Sequence, residues 1–497
     1  MKSAFFKNFI SLILTVMVFN LTITLNAQST VFHGRLKVSS VNPHYLQCED
    51  GTPFFWMGDT GWEVFLRLSR EDAKWYIDQR KIQGFNIIQA VLISEFEGVK
   101  IPNYYNDLPF IDENPEKIAG TPGNDPSNAD EYDYWDHIEY LVNYAEKQGM
   151  YLALLPAWGE YVIPREGRLL FKTRKQAYDY GWFLGNRFRT YKNIVWMLGG
   201  DRLPDERKDG LDMWRSMAEG IADGTNGTKN MNGEADYSTT CMTYHCFASS
   251  SQWFHTDAWL DFHSWGSYHS DVYLARSYEQ AFADWNLPDP KPTLNSEPAY
   301  EMHSINWLEG NGYFMPYDIR DIAYWSVFAG ACGHTYGNHC VWQFYDENRK
   351  PVSFANVHWK KALFSKGAEQ MNYLRKLMES RPLFDLNPDN TMIEGLNPVG
   401  SGHIQAIRGK NFALCYIPTG NAPAVKLGII SGDKLNAWWY NPRTGESTFI
   451  GEYANKGERM FTTPGMSKEM EWLKTGRGCD WVLVLDDVAA HFNAPGK

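Results

Sequence analysis

One pattern recurs along this chain: a short apolar run with no polar alternation, followed by a stretch whose apolar residues return at helical spacing. Strands that open such units are expected near Phe54, Phe85, Tyr151, Asn193, Thr239, Trp259, Pro292 and His334. An unalternated run suits a strand covered on both faces, and strand–helix–strand order calls for parallel strands joined by crossovers. Eight such units predict a (β/α)8 TIM barrel, an α/β fold, rather than an open sheet. The sharpest run is N-I-V-W-M-L-G-G-D-R, residues 193–202. Gly199 and Gly200 free the backbone after the apolar stretch, and Asp201 then stands at the carboxyl end of the strand, where barrel enzymes keep their chemistry.

The connecting segments agree with that reading. Asp50-Gly51 predicts a hairpin turn between Tyr45-Leu46-Gln47 and Phe54-Phe55-Trp56. A helix is expected over Ser69–Gln83, with Ser69 as N-cap and Gly84 closing it. Further helices are expected over 135–148, 174–191, 211–222, 273–285, 318–331 and 366–380. The intervening strands are expected over 85–93, 151–156, 239–247, 259–265, 292–297 and 334–344. The segment from Glu95 to Tyr134 is rich in Pro, Asn and Asp and is expected as a loop over the barrel mouth. After Arg381-Pro382 the text changes to short alternating runs at His403–Arg408, Phe412–Ile417, Leu435–Tyr440 and Trp481–Leu485, which predict an antiparallel β-sandwich. The expected division is a signal peptide over 1–27, a barrel over 28–384 and a sandwich over 385–497.

Residues 1–27 open with Lys2 and Lys7, continue through an apolar core and end at Ala27, the pattern of an export signal. Ser11, Thr15, Asn20 and Thr22 interrupt that core, so stable membrane insertion is not expected, and the chain should be periplasmic, cell-surface or secreted. The formal net charge of −12 argues against nucleic acid, which requires a basic footprint. The 7 cysteines are widely spread and contain no C-x-x-C, so they read as buried small hydrophobes.

Asp201 ends the fourth strand and Glu297, in L-N-S-E-P-A-Y, ends the seventh. Strands four and seven face each other across a barrel, so the two carboxylates can flank a bond between sugars, one protonating the leaving group while the other attacks the anomeric carbon. Asp201 is assigned as acid/base and Glu297 as nucleophile; an N-cap for the first and a rim salt bridge for the second are the alternatives. Asp59, Trp62, Trp158, Glu160, Arg202, His245, His263, Trp265 and Trp342 are expected to bind substrate. No metal is expected, since neither H-x-H on the first strand nor H-E-x-x-H is present. With no P-loop, no G-x-G-x-x-G and no G-x-S-x-G, no cofactor or serine nucleophile is implied. Arg165, Arg168, Lys172 and Arg202 could pair with uronate carboxylates, or form a solvated rim.

The runs F-F-W-M-G-D-T-G-W (54–62), Q-G-F-N-I-I-Q (83–89), W-M-L-G-G-D (196–201) and N-S-E-P-A-Y-E (295–301) resemble the apiosidase-like enzymes of glycoside hydrolase family 140. W-W-Y-N-P-R-T-G (438–445) resembles a module named for collagen binding. The resemblance implies a barrel followed by a β-sandwich, and an enzyme that releases apiose-linked side chains from the pectin rhamnogalacturonan II. It places the acid/base on Asp201 and the nucleophile on Glu297. The expected partner is an oligo- or polysaccharide, with an acidic pectic glycan favoured. Another plant or wall glycan, or a non-catalytic glycan- or matrix-binding role, is the alternative.

Overall fold

Eight parallel strands form the central sheet: Trp56–Thr60 (β1), Ile87–Val91 (β2), Tyr151–Leu155 (β3), Ile194–Gly199 (β4), Met242–His245 (β5), His263–Gly266 (β6), Thr293–Glu297 (β7) and Gly333–Tyr336 (β8). The computed structural model describes residues 32–164, 168–271, 276–465 and 478–497; the export signal expected over 1–27 and Arg165 lie outside the described residues. The strand order is β5-β4-β3-β2-β1-β8-β7-β6. β5 and β6 close the ring through Asp261 N–H, which donates to Met242 O at 2.9 Å, and the Thr243 hydroxyl, which donates to Phe262 O at 2.6 Å. Every residue of these strands is buried, which explains why the sequences of β3 and β4 lack polar alternation.

Helices pack outside the ring and start where capping chemistry tells them to. Ser69 accepts from Asp72 N–H at 3.1 Å to open the helix Arg70–Ile82. Asp133 and Asp136 form a reciprocal capping box that opens the helix Tyr134–Lys147. Three strand boundaries differ from expectation. The run at 239–247 opens with a 3-10 turn, Tyr237–Thr239, capped by Asp236, so β5 begins later. The run at 259–265 enters its strand only at His263 and ends at Gly266. The run at 334–344 stops at Tyr336, because Asn338 caps a helical turn over His339–Trp342.

The segment between β2 and the helix Tyr134–Lys147 is irregular, as expected, but most of it does not lie over the mouth. Arg70 donates to Pro126 O, Trp135 Nε1 donates to Pro109 O, and the Phe110 ring packs against Trp135 and Tyr180, so this segment folds onto the helical layer. Its first two residues, Glu95 and Phe96, are the part that reaches the barrel mouth.

Beyond the barrel, six antiparallel strands lie in the order Asn387–Pro388, Gln405–Arg408, Phe412–Ile417, Trp481–Asp487, Lys434–Asn441 and Glu446–Ala454. A two-stranded ladder, Ala424–Lys426 with Glu458–Met460, contributes Val425 to a core that also contains Cys415, Trp439 and Leu483. The opposite face meets the barrel helix Pro316–Phe328, where the Tyr324 and Tyr416 rings stack at 4.9 Å and Trp325 Nε1 donates to His403 O. All 7 cysteines are free and buried, consistent with small apolar side chains.

Candidate active site

A cavity of about 760 Å³ opens at the carboxyl ends of the barrel strands. Asp201 and Glu297 both line it, together with Trp62, Glu95, Phe96, Trp158, Phe247, Tyr268, His269, Arg276, Tyr300, His303, Trp307 and Trp342. Its size is that of a small-molecule site, and its walls are chiefly aromatic, as sugar rings favour.

The approach to Asp201 depends on two glycines. Gly199 has φ of 93° and Gly200 of 126°, both in space that disfavours a side chain. A Cβ on Gly199 would lie 2.2 Å from His245 O, and one on Gly200 would lie 2.8 Å from Gly159 N and 3.0 Å from the Trp158 ring. Asp201 itself has φ of 52°, a left-handed conformation that Asp tolerates better than most residues. The resulting bend turns its carboxyl into the cavity, with 26% of the side chain exposed.

Glu297 is the last residue of β7 and is held from two sides. His245 Nε2 donates to its Oε2 at 2.8 Å, and His269 Nε2 lies 3.5 Å from Oε1. His245 is fixed in turn by its Nδ1 hydrogen bond to the Ser296 hydroxyl at 3.0 Å. One oxygen of Asp201 and one of Glu297 lie within 4.8 Å of each other, and a ring nitrogen of His245 falls within the same span.

The two carboxyl groups have opposite proton affinities. Burial, then the negative charge of Glu297, pushes Asp201 up to about 7. Burial would raise Glu297 as well, but the hydrogen bonds and charges of His245 and His269 outweigh it and hold Glu297 down at about 2. At neutral pH the cavity therefore presents a carboxyl near its half-protonated point beside an ionised one. Such a pair can donate a proton on one side of a bond and attack from the other.

Of the residues expected to bind substrate, Trp62, Trp158 and Trp342 line the cavity. Trp62 Nε1 donates to the Tyr300 hydroxyl, its ring meets Trp158 edge-on at 5.5 Å, and Trp342 stacks on Phe96. Six others do not line it, contrary to expectation. Asp59 points into the helical layer, where it is fully buried and paired with Arg80 at 2.7 Å and with the Tyr76 hydroxyl. Glu160 and Arg202 pair with each other behind Asp201, and Arg202 Nη1 donates to Asp201 O at 2.8 Å. His245 touches Glu297 rather than the open cavity. His263 bonds His255 at 3.0 Å, and Trp265 Nε1 donates to the Thr293 hydroxyl at 2.9 Å, both away from the cavity. Among the basic residues considered for the rim, Arg168 is tied to Glu160 and to Glu95 O, and Lys172 is exposed.

Phe247, Arg276, Tyr300, His303 and Trp307 line the cavity without having been expected there, and two more such residues follow from the late start of β6. With that strand ending at Gly266, the cavity residues are Tyr268 and His269, a few positions beyond Trp265. Tyr268 has φ of 53°, rare for an aromatic residue, and its N–H donates to Glu297 O at 3.2 Å. Among the described residues its buried hydroxyl has no partner. Glu95 was legible only as the start of a loop.

Comparison with known proteins then fixes the family. Residues 40–385 match the family model described as "Apiosidase-like, catalytic domain". The chain belongs to the apiosidase-like family. Residues 387–486 match "Putative collagen-binding domain of a collagenase". A solved structure described as a glycoside hydrolase is 31% identical, covering 92% of this chain and 98% of its own, with a TM-score of 0.79. A glycoside hydrolase family 5 structure from Bacteroides vulgatus is 30% identical, covering 93% of this chain and 95% of its own, with a TM-score of 0.80. None of the curated proteins matches the chain. This apiosidase-like protein is thus a glycoside hydrolase of the TIM-barrel type, with an antiparallel β domain after the barrel.

Proposed function

We propose that this apiosidase-like protein is an exported, retaining glycosidase that releases apiose-linked side chains from rhamnogalacturonan II, with Asp201 as acid/base and Glu297 as nucleophile. The observation that carries the mechanism is the close spacing of two carboxyl groups with opposite proton affinities. Retaining pairs stand about 5–5.5 Å apart and inverting pairs about 6.5–9.5 Å. An oxygen of Asp201 within 4.8 Å of one of Glu297 supports the closer, retaining spacing.

In the first step Asp201 gives its proton to the glycosidic oxygen as the bond to the anomeric carbon breaks, and Glu297 forms an ester to that carbon. In the second, ionised Asp201 takes a proton from water as the water oxygen displaces Glu297 from the sugar. Two inversions restore the original configuration. His245 and His269 keep Glu297 ionised for attack, while the aromatic walls hold the ring. The family supports the apiose assignment, the aromatic cavity supports a glycan, and Lys2, Lys7 and the apolar core before Ala27 support export.

The deciding experiment incubates the protein with rhamnogalacturonan II oligosaccharides and identifies the sugar released and its initial anomeric configuration by NMR. Apiose released with retention is expected. Release of a different sugar would overturn the substrate, and an inverted product would overturn the role of Glu297.

A further inference from the structure

The catalytic cavity holds a third carboxyl that the two-carboxylate mechanism does not use. Glu95 follows β2 and lines the same cavity as Asp201 and Glu297. Among the described residues no hydrogen bond or ion pair reaches its side chain; Arg168 bonds its backbone carbonyl and turns its charge to Glu160. The charges that act most strongly on the carboxyl, those of Asp201, Glu63, Glu160 and Glu297, are all negative. Glu63, by contrast, receives the Ser94 hydroxyl at 2.7 Å and lies 3.8 Å from Arg67.

Carboxyl groups placed only to stabilise a fold are paired or hydrogen-bonded, and one left unpaired on a cavity wall calls for an explanation in the ligand. We propose that Glu95 is a substrate-binding residue that offers its O–H to a hydroxyl of the sugar seated over Asp201 and Glu297. A protonated carboxyl supplies one donor and retains acceptor capacity, which matches a sugar hydroxyl. Burial, with the negative charges of Asp201, Glu63, Glu160 and Glu297, raises the proton affinity of Glu95 well above that of an ordinary carboxylate, which favours the donor form. An ionised Glu95 would lose that donor and would bring a further negative charge beside Asp201. The inference rests on the glycosidase reading of the cavity and is independent of which sugar it accepts.

The test compares wild type, Glu95→Gln and Glu95→Ala as full-length proteins. KM and kcat are followed across pH on 4-nitrophenyl apioside. If wild type leaves that compound intact, the measurement uses whichever member of a panel of 4-nitrophenyl glycosides it hydrolyses, so failure of the apiose assignment is seen separately. Glu95→Ala should raise KM by about tenfold, the worth of one hydrogen bond to an uncharged partner. Glu95→Gln, whose amide also donates and accepts, should stay within about threefold of wild type. Wild-type KM should rise with pH as Glu95 ionises, and the glutamine variant should lose that rise. Should Glu95→Ala not fold, the pH dependence of KM in Glu95→Gln alone decides. Wild-type KM and an unchanged pH dependence in Glu95→Gln would overturn the inference. So would a thousandfold loss of activity in Glu95→Gln on a natural glycoside, whose leaving group needs a proton, with Asp201→Asn still active on it, which would make Glu95 the acid.

Discussion

Glu297 depends on its histidines. His245 and His269 hold its carboxyl down at about 2 against the burial that would raise it. The Asp201 carboxyl must carry a proton for the first step, so kcat/KM should fall as pH rises through about 7, and it should fall at low pH as Glu297 takes up a proton near about 2. These limbs belong to the pair rather than to either residue alone. His269→Asn removes one of the groups favouring the ionised form, so the acid limb should move to higher pH; a pH profile with an unmoved limb would show that His269 does not tune Glu297. Asp201→Asn should lose most activity on natural glycosides; on 4-nitrophenyl substrates, whose leaving group needs no proton, it should keep kcat/KM while kcat falls because the second step lacks its base, and the alkaline limb of kcat/KM should disappear. Asp59 behaves differently. Its carboxylate is buried against Arg80, so Asp59→Ala should cost about 3–5 kcal/mol of stability, read by denaturant unfolding, and leave the KM of the folded fraction unchanged. The sequence suggested a sugar contact there because G-D-T-G-W lies at a strand end. Strand alternation instead sends Asp59 toward the helices, and Trp62 meets the cavity.

At the scale of elements, the barrel was legible because its strands are buried on both faces, which leaves β3 and β4 with unbroken apolar sequences, and because strand and helix patterns take turns along the chain. The chemistry at its carboxyl ends was legible only where a strand ended as its apolar run did. β4 and β7 do so, and Asp201 and Glu297 were found. β6 does not: its run begins at Trp259 but its ladder only at His263, so the run points to Trp265 while the cavity is met by Tyr268 and His269. Which way a side chain turns after a strand depends on backbone angles such as the φ of 52° at Asp201, and composition does not encode them. That bend can be tested at its hinge. Gly200→Ala places a Cβ 2.8 Å from Gly159 N in backbone space that strains any side chain, at a cost of about 1–3 kcal/mol. The strain should swing Asp201 away from Glu297, so kcat should fall while KM changes little; wild-type kcat in a folded Gly200→Ala protein would show that the bend does not position the acid.

For the whole molecule, the question is whether the β domain is a separate binding module or part of the scaffold. Residues Phe32–Lys497 form one compact unit. Two fully buried ion pairs cross the seam: Arg320 to Asp480, with two bonds of 2.8 Å, and Arg381 to Asp486, at 2.9 and 2.7 Å. Arg443 adds a third cation against Asp480. Around them Tyr324, Trp325 and Tyr416 pack ring to ring. A module joined for binding alone would keep a more polar and replaceable boundary. Removing one partner of a buried pair leaves the other charged and desolvated, so Arg320→Ala should cost about 3–5 kcal/mol. Because the seam belongs to both cores, that loss should appear in the unfolding of the barrel as well as of the sheet: calorimetry should record one transition for wild type and one, at lower temperature, for Arg320→Ala. A chain ending at Asp385 would expose the Pro316–Phe328 helix and should be insoluble. Two resolved transitions in wild type, or a soluble and active chain ending at Asp385, would instead make the β domain an independent module.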